Sequence, residues 1–287
     1  MGYWDHVILI AGINCILALG FYLTLLTGQL SAAHAAFVGS GSYIAGALAV
    51  KANFSFYPSI AAAAVLIGIA AAILGVILQR LSGMFFAIAT LGFGEVLIVI
   101  LKNNSYLGGA LGLYGVPLRT DMIHVMGFLA VIVYLVIRLE GSRFGLSFRA
   151  IRNDPIAAAS IGIDVARTRI LSFVLGAIIC GIGGALQVQY LSVVEPDDLG
   201  FYLTVSFLLF TIVGGRDIFL GSLVGATVFT VLPELLRITT YGRLTIFSII
   251  LVIIVIVRPQ GMIDRLTALR WMKKIKPDSL KARFRKG

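Results

Sequence analysis

Apolar residues dominate this chain in long runs that polar positions interrupt only briefly. Most of the runs approach the roughly 20 residues that an α-helix needs to cross the hydrocarbon core of a bilayer. We therefore predict an all-α, polytopic transmembrane helical bundle of about 8 to 10 membrane segments. The runs cover residues 7–26, 33–50, 58–79, 84–101, 122–139, 169–191, 201–213, 218–236 and 243–257.

Two of these runs, 33–50 and 201–213, are short for a complete span. A helix that stops inside a membrane leaves backbone groups without hydrogen-bond partners. Such groups are tolerated only where they are enclosed by protein or face an aqueous cavity. We therefore expect broken or re-entrant helices at both places.

The composition supports the membrane assignment, with 59% hydrophobic residues, only 13% charged residues and a mean hydropathy of +1.01. These values lie far from those of soluble domains. We predict one transmembrane domain over residues 1–264, which contains a polar loop at 140–168, and a basic tail at 265–287.

The basic residues are distributed unevenly between the predicted loops. If the loop 140–168 and the tail lie in the cytoplasm, 18 of the 23 Lys and Arg residues are on the cytoplasmic side. This bias sets the orientation of membrane proteins, so we predict a periplasmic N-terminus and a cytoplasmic C-terminus. Contact with anionic membrane lipid accounts for the net charge of +10, and no nucleic-acid partner is needed.

The polar loop includes the stretch RAIRNDPIAAASIGID, residues 149–164, in which we expect an alanine-rich helix. Asn153 or Asp154 can cap its first turn, where Pro155 loses no hydrogen bond. The small residues from Ala157 to Gly162 leave little side chain in the way of another protein, and arginines flank them. The loop is therefore a candidate docking element, although a passive linker has the same polarity.

Here the chain resembles the coupling loop of ABC importer permeases, whose pattern is Glu-Ala-Ala, three residues, then Gly. The pattern falls on Ile156, Ala157, Ala158 and Gly162, with Ile156 in place of the acidic residue. Further stretches, among them GQLSAAHAAFVGSGSY, ATLGFGEVL and VGGRDIFLGSLVGA, are similar to the M-type branched-chain amino acid permease family. The ATPase-coupling residues that this resemblance and the loop indicate are Arg149, Arg152, Asp154, Pro155, Ala157, Ala158 and Gly162.

The resemblance implies a permease subunit of the bacterial inner membrane that imports branched-chain or other hydrophobic amino acids. Its implied partners are a homologous permease subunit in a heterodimer, two cytoplasmic ATPase subunits and a periplasmic solute-binding protein. Similar family members handle urea and short amides, which leaves that solute class as an alternative.

Energy for transport must come from outside this chain, because its sequence has no G-x-x-x-x-G-K-[ST] phosphate cradle. We therefore expect no cofactor in the chain itself, with ATP used by partner subunits. The residues offer no paired nucleophile and base and no metal-ligand cluster, so we predict no enzyme activity and no metal site. A stand-alone secondary transporter remains the other possibility.

Candidate pathway residues come from two places in the apolar segments. The glycine-rich stretch TGQLSAAHAAF can open a helix start toward a cavity, but close helix packing explains its small residues equally well. Glu95 places a carboxylate within a span, which is costly, so it is a functional candidate. The alternative is a structural carboxyl group that is hydrogen-bonded within the bundle. The candidates are Gly28, Gln29, Ser31, His34 and Glu95.

Two loops on the predicted periplasmic side, residues 102–121 and 193–200, are the remaining polar segments of interest. The second carries Glu195, Asp197 and Asp198, which can pair with basic residues of a binding protein. Simple solvated loops have the same composition.

Overall fold

The structure is a computed structural model that describes residues 2–235 and Met262. The predicted segment 243–257 and the tail 265–287 lie outside the described residues. Over the described part the chain is almost entirely helical, as the sequence predicts, because only a helix or a closed barrel satisfies all backbone hydrogen bonds inside a bilayer. The α-helices are α1 Tyr3–Leu25, α2 Ala33–Lys51, α3 Phe56–Leu78, α4 Met84–Asn103, α5 Met122–Glu140, α6 Arg143–Asn153, α7 Pro155–Ser160, α8 Val165–Leu191, α9 Phe201–Gly214 and α10 Phe219–Leu235.

Short elements connect these helices on the side opposite the α6–α7 loop. They are the 3-10 helices Ser105–Leu107, Gly109–Leu111 and Pro196–Leu199, and two short strands, β1 Leu113–Tyr114 and β2 Val193–Val194. The strands pair antiparallel, with Leu113 opposite Val194. This pairing joins the two polar loops that the sequence analysis treated separately.

Seven helical segments in the described range are long and apolar enough to cross a membrane. They are α1 to α5, α8 and the segment Pro196–Gly214, which combines a 3-10 helix with α9. The apolar helix α10 is shorter, with 17 residues. The all-α polytopic architecture is therefore confirmed.

The expectation of a broken helix is wrong at 33–50. Helix α2 runs without interruption for 19 residues, because the chain reverses before it, in the segment 26–32 that follows α1. At 201–213 the 14-residue α9 also runs without interruption, and the 3-10 helix Pro196–Leu199 precedes it with Gly200 between them.

The polar segment 148–170 contains more than the predicted alanine-rich helix, which is α7. It contains the end of α6, all of α7 and the start of α8. Asp154 interrupts it with extended backbone angles, φ −154° and ψ 106°. The following Pro155 lacks the N–H that a continuous helix would need, which is the physical reason for the break.

Helix α8 lies at the centre of the bundle and packs against α1, α2 and α3. Glycines allow a close approach there: a Cβ atom on Gly184 would lie 2.0 Å from the carbonyl oxygen of Val38, and one on Gly41 would lie 2.4 Å from that of Gly181. The Ser42 hydroxyl donates a hydrogen bond to the Gly184 carbonyl at 2.8 Å. Small residues and a polar contact thus hold α2 against α8, as is typical of membrane helix pairs.

Candidate functional site

The loop between α5 and α8, which we call the helical loop (residues 141–164), is built by three polar caps. The Ser142 side chain accepts a hydrogen bond from the Gly145 N–H at the start of α6. Asp154 Oδ1 accepts from the N–H groups of Ile156 and Ala157 at 2.8 and 3.1 Å. Asp164 caps α8 in the same way. Asp154 therefore has the capping position that the sequence predicts, with Pro155 in the first turn of α7.

The tip of the helical loop is apolar and exposed. Ala158 is buried, but Ile156 and Ile161 are 82% and 74% exposed. Gly162 ends the tip in the left-handed region at φ +88°, and a Cβ atom built there would meet no atom within 4 Å. The small-residue surface predicted from the sequence is therefore present, with two large aliphatic side chains added to it.

Arg149 anchors the base of the helical loop to two membrane helices. Its guanidinium donates to Glu140 Oε2 at 2.6 Å, and the Tyr22 hydroxyl donates to Glu140 Oε1 at 2.7 Å. Tyr22 is fully buried in α1, and Glu140 is the last residue of α5. This chain of charge-assisted hydrogen bonds connects α6 to α1 and α5.

Arg152 makes a second connection, to the turn between α9 and α10. Its guanidinium lies 2.6 Å from Asp217 Oδ1 and donates to the carbonyl oxygen of Arg216 at 3.1 Å. The backbone of Arg152 also faces Gly28, where a Cβ atom would lie 3.6 Å from the Arg152 Cα. The residue therefore sits between the α1–α2 turn and the α9–α10 turn.

The structure thus separates the residues predicted to couple to an ATPase into two groups. Asp154, Pro155, Ala157 and Gly162 are exposed at the tip, while Ala158 is buried beneath them. Arg149 and Arg152 point back toward the membrane helices and line a polar cavity of about 230 Å³ with Asn153 and Asp217. The roles of Tyr22, Glu140 and Asp217 were not predicted from the sequence, because no local pattern pairs them with Arg149 and Arg152.

Three of the four pathway candidates near the start of α2 are buried. Gln29, Ser31 and His34 are all nearly inaccessible, and the Ser31 hydroxyl accepts a hydrogen bond from the Ala33 N–H. Gly28 has a left-handed backbone at φ +77° in the turn after α1. Gly28, unlike the other three, is exposed.

His34 is fully buried among side chains of α1, α2 and α8. Its Nε2 lies 3.0 Å from the Thr24 hydroxyl, and its ring meets those of Phe21 and Phe173 edge-on at centroid distances of 5.4 and 5.8 Å. Its Nδ1 is buried without a hydrogen-bond partner. In this conformation the histidine packs between helices, which agrees with the alternative that the sequence analysis left open.

Glu95 lies apart from the other pathway candidates. It is exposed on α4, on the face turned away from α2. Among the described residues, none forms a hydrogen bond or ion pair with its carboxylate. The described residues therefore do not support the alternative in which the Glu95 carboxyl group is hydrogen-bonded within the bundle.

The acidic residues on the opposite side of the molecule are used largely within the chain. Asp197 forms an ion pair with Lys102 at 2.5 Å, and Glu195 accepts a hydrogen bond from the Tyr114 hydroxyl at 2.8 Å. This hydrogen bond raises the pKa of the Tyr114 phenol above its ordinary value. Glu195 and Asp197 therefore hold the loops 102–121 and 193–200 together, in addition to any contact with a partner.

Together these features define a multi-pass α-helical membrane protein with one helical loop anchored to its bundle. The chain belongs to the family described as branched-chain amino acid transport system / permease component, which matches residues 3–258. This is a family of transport permease components rather than of enzymes.

Curated relatives support the family assignment. The high-affinity branched-chain amino acid transport system permease protein LivM of Escherichia coli K12 is 25% identical, over 88% of this chain and 68% of the relative. The permease protein LivH of Salmonella typhimurium, from the transport system of the same description, is 27% identical over 61% of this chain and 58% of the relative. The probable LivM of Methanocaldococcus jannaschii is 23% identical over 64% and 61%. No solved structure matches the chain.

Proposed function

We propose that this chain is the membrane-spanning permease subunit of an ATP-driven importer, and that it forms the pathway for branched-chain or other hydrophobic amino acids. The description of its family and the names of its relatives support the transport role and the solute class. The observation that carries the coupling to ATP is the helical loop, whose tip is exposed and apolar and whose base is ion-paired to the membrane helices.

In this proposal the tip of the helical loop docks onto soluble ATPase subunits. Ile156 and Ile161 supply apolar contact area, while Ala157 and Gly162 allow close approach. Arg149 and Arg152 act behind the tip, as positioning residues that carry its movement to α1, α5 and the α9–α10 turn. Two ATPases, one for each permease subunit, would hydrolyse the ATP, since this sequence has no phosphate cradle.

The orientation follows from the bias of basic residues, which places the helical loop and the C-terminus in the cytoplasm and the N-terminus in the periplasm of a bacterial inner membrane. A periplasmic binding protein then delivers solute to the side that carries the loops 102–121 and 193–200. A homologous permease subunit completes the pathway.

The proposed pathway residues are Gly28, Gln29, Ser31, His34 and Glu95. The first three lie in the segment before α2, where Gly28 faces Arg152. A movement of the helical loop therefore reaches this segment directly, which gives ATP hydrolysis a physical route to the pathway.

Replacing Gly162 with tryptophan tests the proposal. A Cβ atom at Gly162 would meet no atom within 4 Å, but its φ of +88° strains any side chain placed there, so the control must carry the same backbone strain. We expect Gly162→Trp to abolish co-purification of ATPases and ATP-dependent uptake of leucine into proteoliposomes. The matched control is Gly115→Trp, because Gly115 also has a positive φ and free space around it but lies on the opposite side of the molecule.

The control variant should retain its ATPases. Uptake of leucine by the purified chain without any ATPase, driven by an ion gradient, would instead identify a secondary transporter. Competition by urea or acetamide but not by leucine would refute the proposed solute class.

A further inference from the structure

One face of α4 is exposed along the whole helix. We call it the α4 outer face: Phe85, Ile88, Gly92, Glu95, Val96 and Val99. These residues recur every three or four positions, so they form one stripe on the helix. The opposite face, which carries Phe86, Thr90 and Leu101, is buried and packs on α2.

Glu95 makes this stripe unsuitable for contact with lipid. It lies near the middle of the 20-residue helix, and no hydrogen bond or ion pair from the described residues reaches it. An ionised carboxylate near the centre of a membrane span is costly unless it is hydrogen-bonded or hydrated. The carboxylate therefore needs either a donor or water from outside the described part of this chain.

The outer faces of α3 and α5 provide an internal comparison. Helix α3 exposes Ile69, Ile73 and Val76, and α5 exposes Val131 and Leu135. Between the ends of these two helices no carboxylate interrupts the aliphatic surface. Both are suited to lipid, and α4 differs from them through Glu95.

The rest of the α4 outer face is apolar. Ile88, Val96 and Val99 surround the carboxylate with aliphatic surface, each of them more than half exposed. Gly92, one turn before Glu95, leaves a notch in which a Cβ atom would meet nothing within 4 Å. An apolar stripe with a glycine notch and a single polar group is the surface that membrane helices use to pack on one another.

We propose that the α4 outer face is the surface on which the second, homologous permease subunit packs, with a hydrogen-bond donor of that subunit facing Glu95. This inference rests on the proposed function, which supplies the partners. Among those partners the ATPases and the binding protein are soluble. Only the second permease subunit lies at the depth of Glu95 in the membrane.

A pair of glycine variants tests the surface. Gly92 on α4 and Gly127 on α5 are both exposed within spans, and at both positions a Cβ atom meets nothing within 4 Å. Phenylalanine is therefore accommodated within the chain in each case. We expect Gly92→Phe to reduce co-purification of the second permease subunit by about tenfold through overpacking at the contact, and Gly127→Phe to leave it unchanged.

Exposure to lipid gives an independent measurement. Cysteines at Ile88 on α4, Ile73 on α3 and Val131 on α5, which are 56%, 58% and 57% exposed, are labelled with a bimane fluorophore. The parent chain, whose Cys15 and Cys180 are buried, serves as the blank. The complex is purified through a tag on this chain and placed in nanodiscs that contain spin-labelled lipid. In the complex, lipid should quench the bimane at positions 73 and 131 but not at position 88. In the separated chain, lipid should quench all three labels.

The outcomes separate this inference from the proposed function. If ATPases and a second permease subunit co-purify equally with both phenylalanine variants, or if lipid quenches the Ile88 label in the complex as strongly as the controls, the surface is wrong while the transport role stands. A second copy of this chain as the co-purified subunit overturns the choice of partner. A parent chain that captures no second permease subunit overturns the inference, and one that also captures no ATPase overturns the proposed function as well.

Discussion

Replacement of Arg152 by alanine probes the connection between the helical loop and the membrane helices. The guanidinium forms an ion pair with Asp217 at 2.6 Å and a hydrogen bond to the carbonyl of Arg216 at 3.1 Å. Both acceptors lie in the turn between α9 and α10. The substitution therefore detaches α6 from that turn and leaves the exposed tip of the loop unchanged.

The expected energy is modest, because the ion pair is partly solvated. The side chain of Arg152 is 20% exposed and that of Asp217 is 38% exposed. Exposed ion pairs contribute about 0.2–1 kcal/mol, and hydrogen bonds to charged groups about 1.5–3 kcal/mol. We take about 1 kcal/mol for the Arg152–Asp217 interaction, which changes the equilibrium between attached and detached loop about fivefold.

The assay is the number of solute molecules transported per ATP hydrolysed by the complex in proteoliposomes. Arg152→Ala and Asp217→Ala should each lower this ratio by up to about fivefold, the limit reached when the attached state is the minor one. The double variant should cost no more than either single variant, because all three remove the same interaction. ATPases should still co-purify, since their docking surface is intact.

The control is Arg167→Ala. Arg167 forms an ion pair with Asp164 at 3.0 Å, but both side chains are exposed and both lie at the start of α8, so this pair connects nothing across the molecule. Its loss should leave the transport ratio unchanged. An equal transport ratio for Arg152→Ala and the parent, or additive losses in the double variant, would show that the Arg152–Asp217 interaction does not carry the coupling.

Three further predictions concern stability and topology. Gly184→Leu should lower the unfolding temperature in detergent through overpacking of about 1–3 kcal/mol, because a Cβ atom would lie 2.0 Å from the Val38 carbonyl; an unchanged temperature contradicts this packing. Tyr22→Phe should destabilise the chain by about 1–3 kcal/mol in denaturation experiments, since it removes a hydrogen bond to Glu140; the loss should vanish in a Glu140→Ala, Arg149→Ala background, which has no acceptor at position 140. A cysteine at Ser160 should react with an impermeant reagent only from the cytoplasm, and one at Leu118 only from the periplasm, with the reverse result refuting the orientation.

Much of the helical architecture could be read from hydropathy. The first eight apolar runs correspond to helices, and the predicted starts at residues 33, 84 and 122 coincide with those of α2, α4 and α5. The helical cap at Asp154 was also predictable, because it depends on neighbouring residues alone. These features are local: the free energy of burying an apolar run in a membrane depends on its own composition.

The partners of the charged residues could not be predicted in this way. Arg152 pairs with Asp217, and Tyr114 with Glu195, across 65 and 81 residues of sequence. Their meeting depends on how the helices pack and where the chain reverses. The same is true of the continuity of α2, whose small residues resemble a break in the sequence but serve close packing against α8.

Glu95 illustrates the division between sequence and tertiary structure. Its sequence context shows that a carboxylate lies within a span, which is costly wherever the helix stands. The packing of α4 against α2 turns that carboxylate away from the bundle. The sequence thus determined that Glu95 needs a partner. The tertiary structure decided that this partner comes from outside the described part of the chain. The reason is that hydropathy is a property of one segment, whereas the direction of a side chain depends on the packing of its helix.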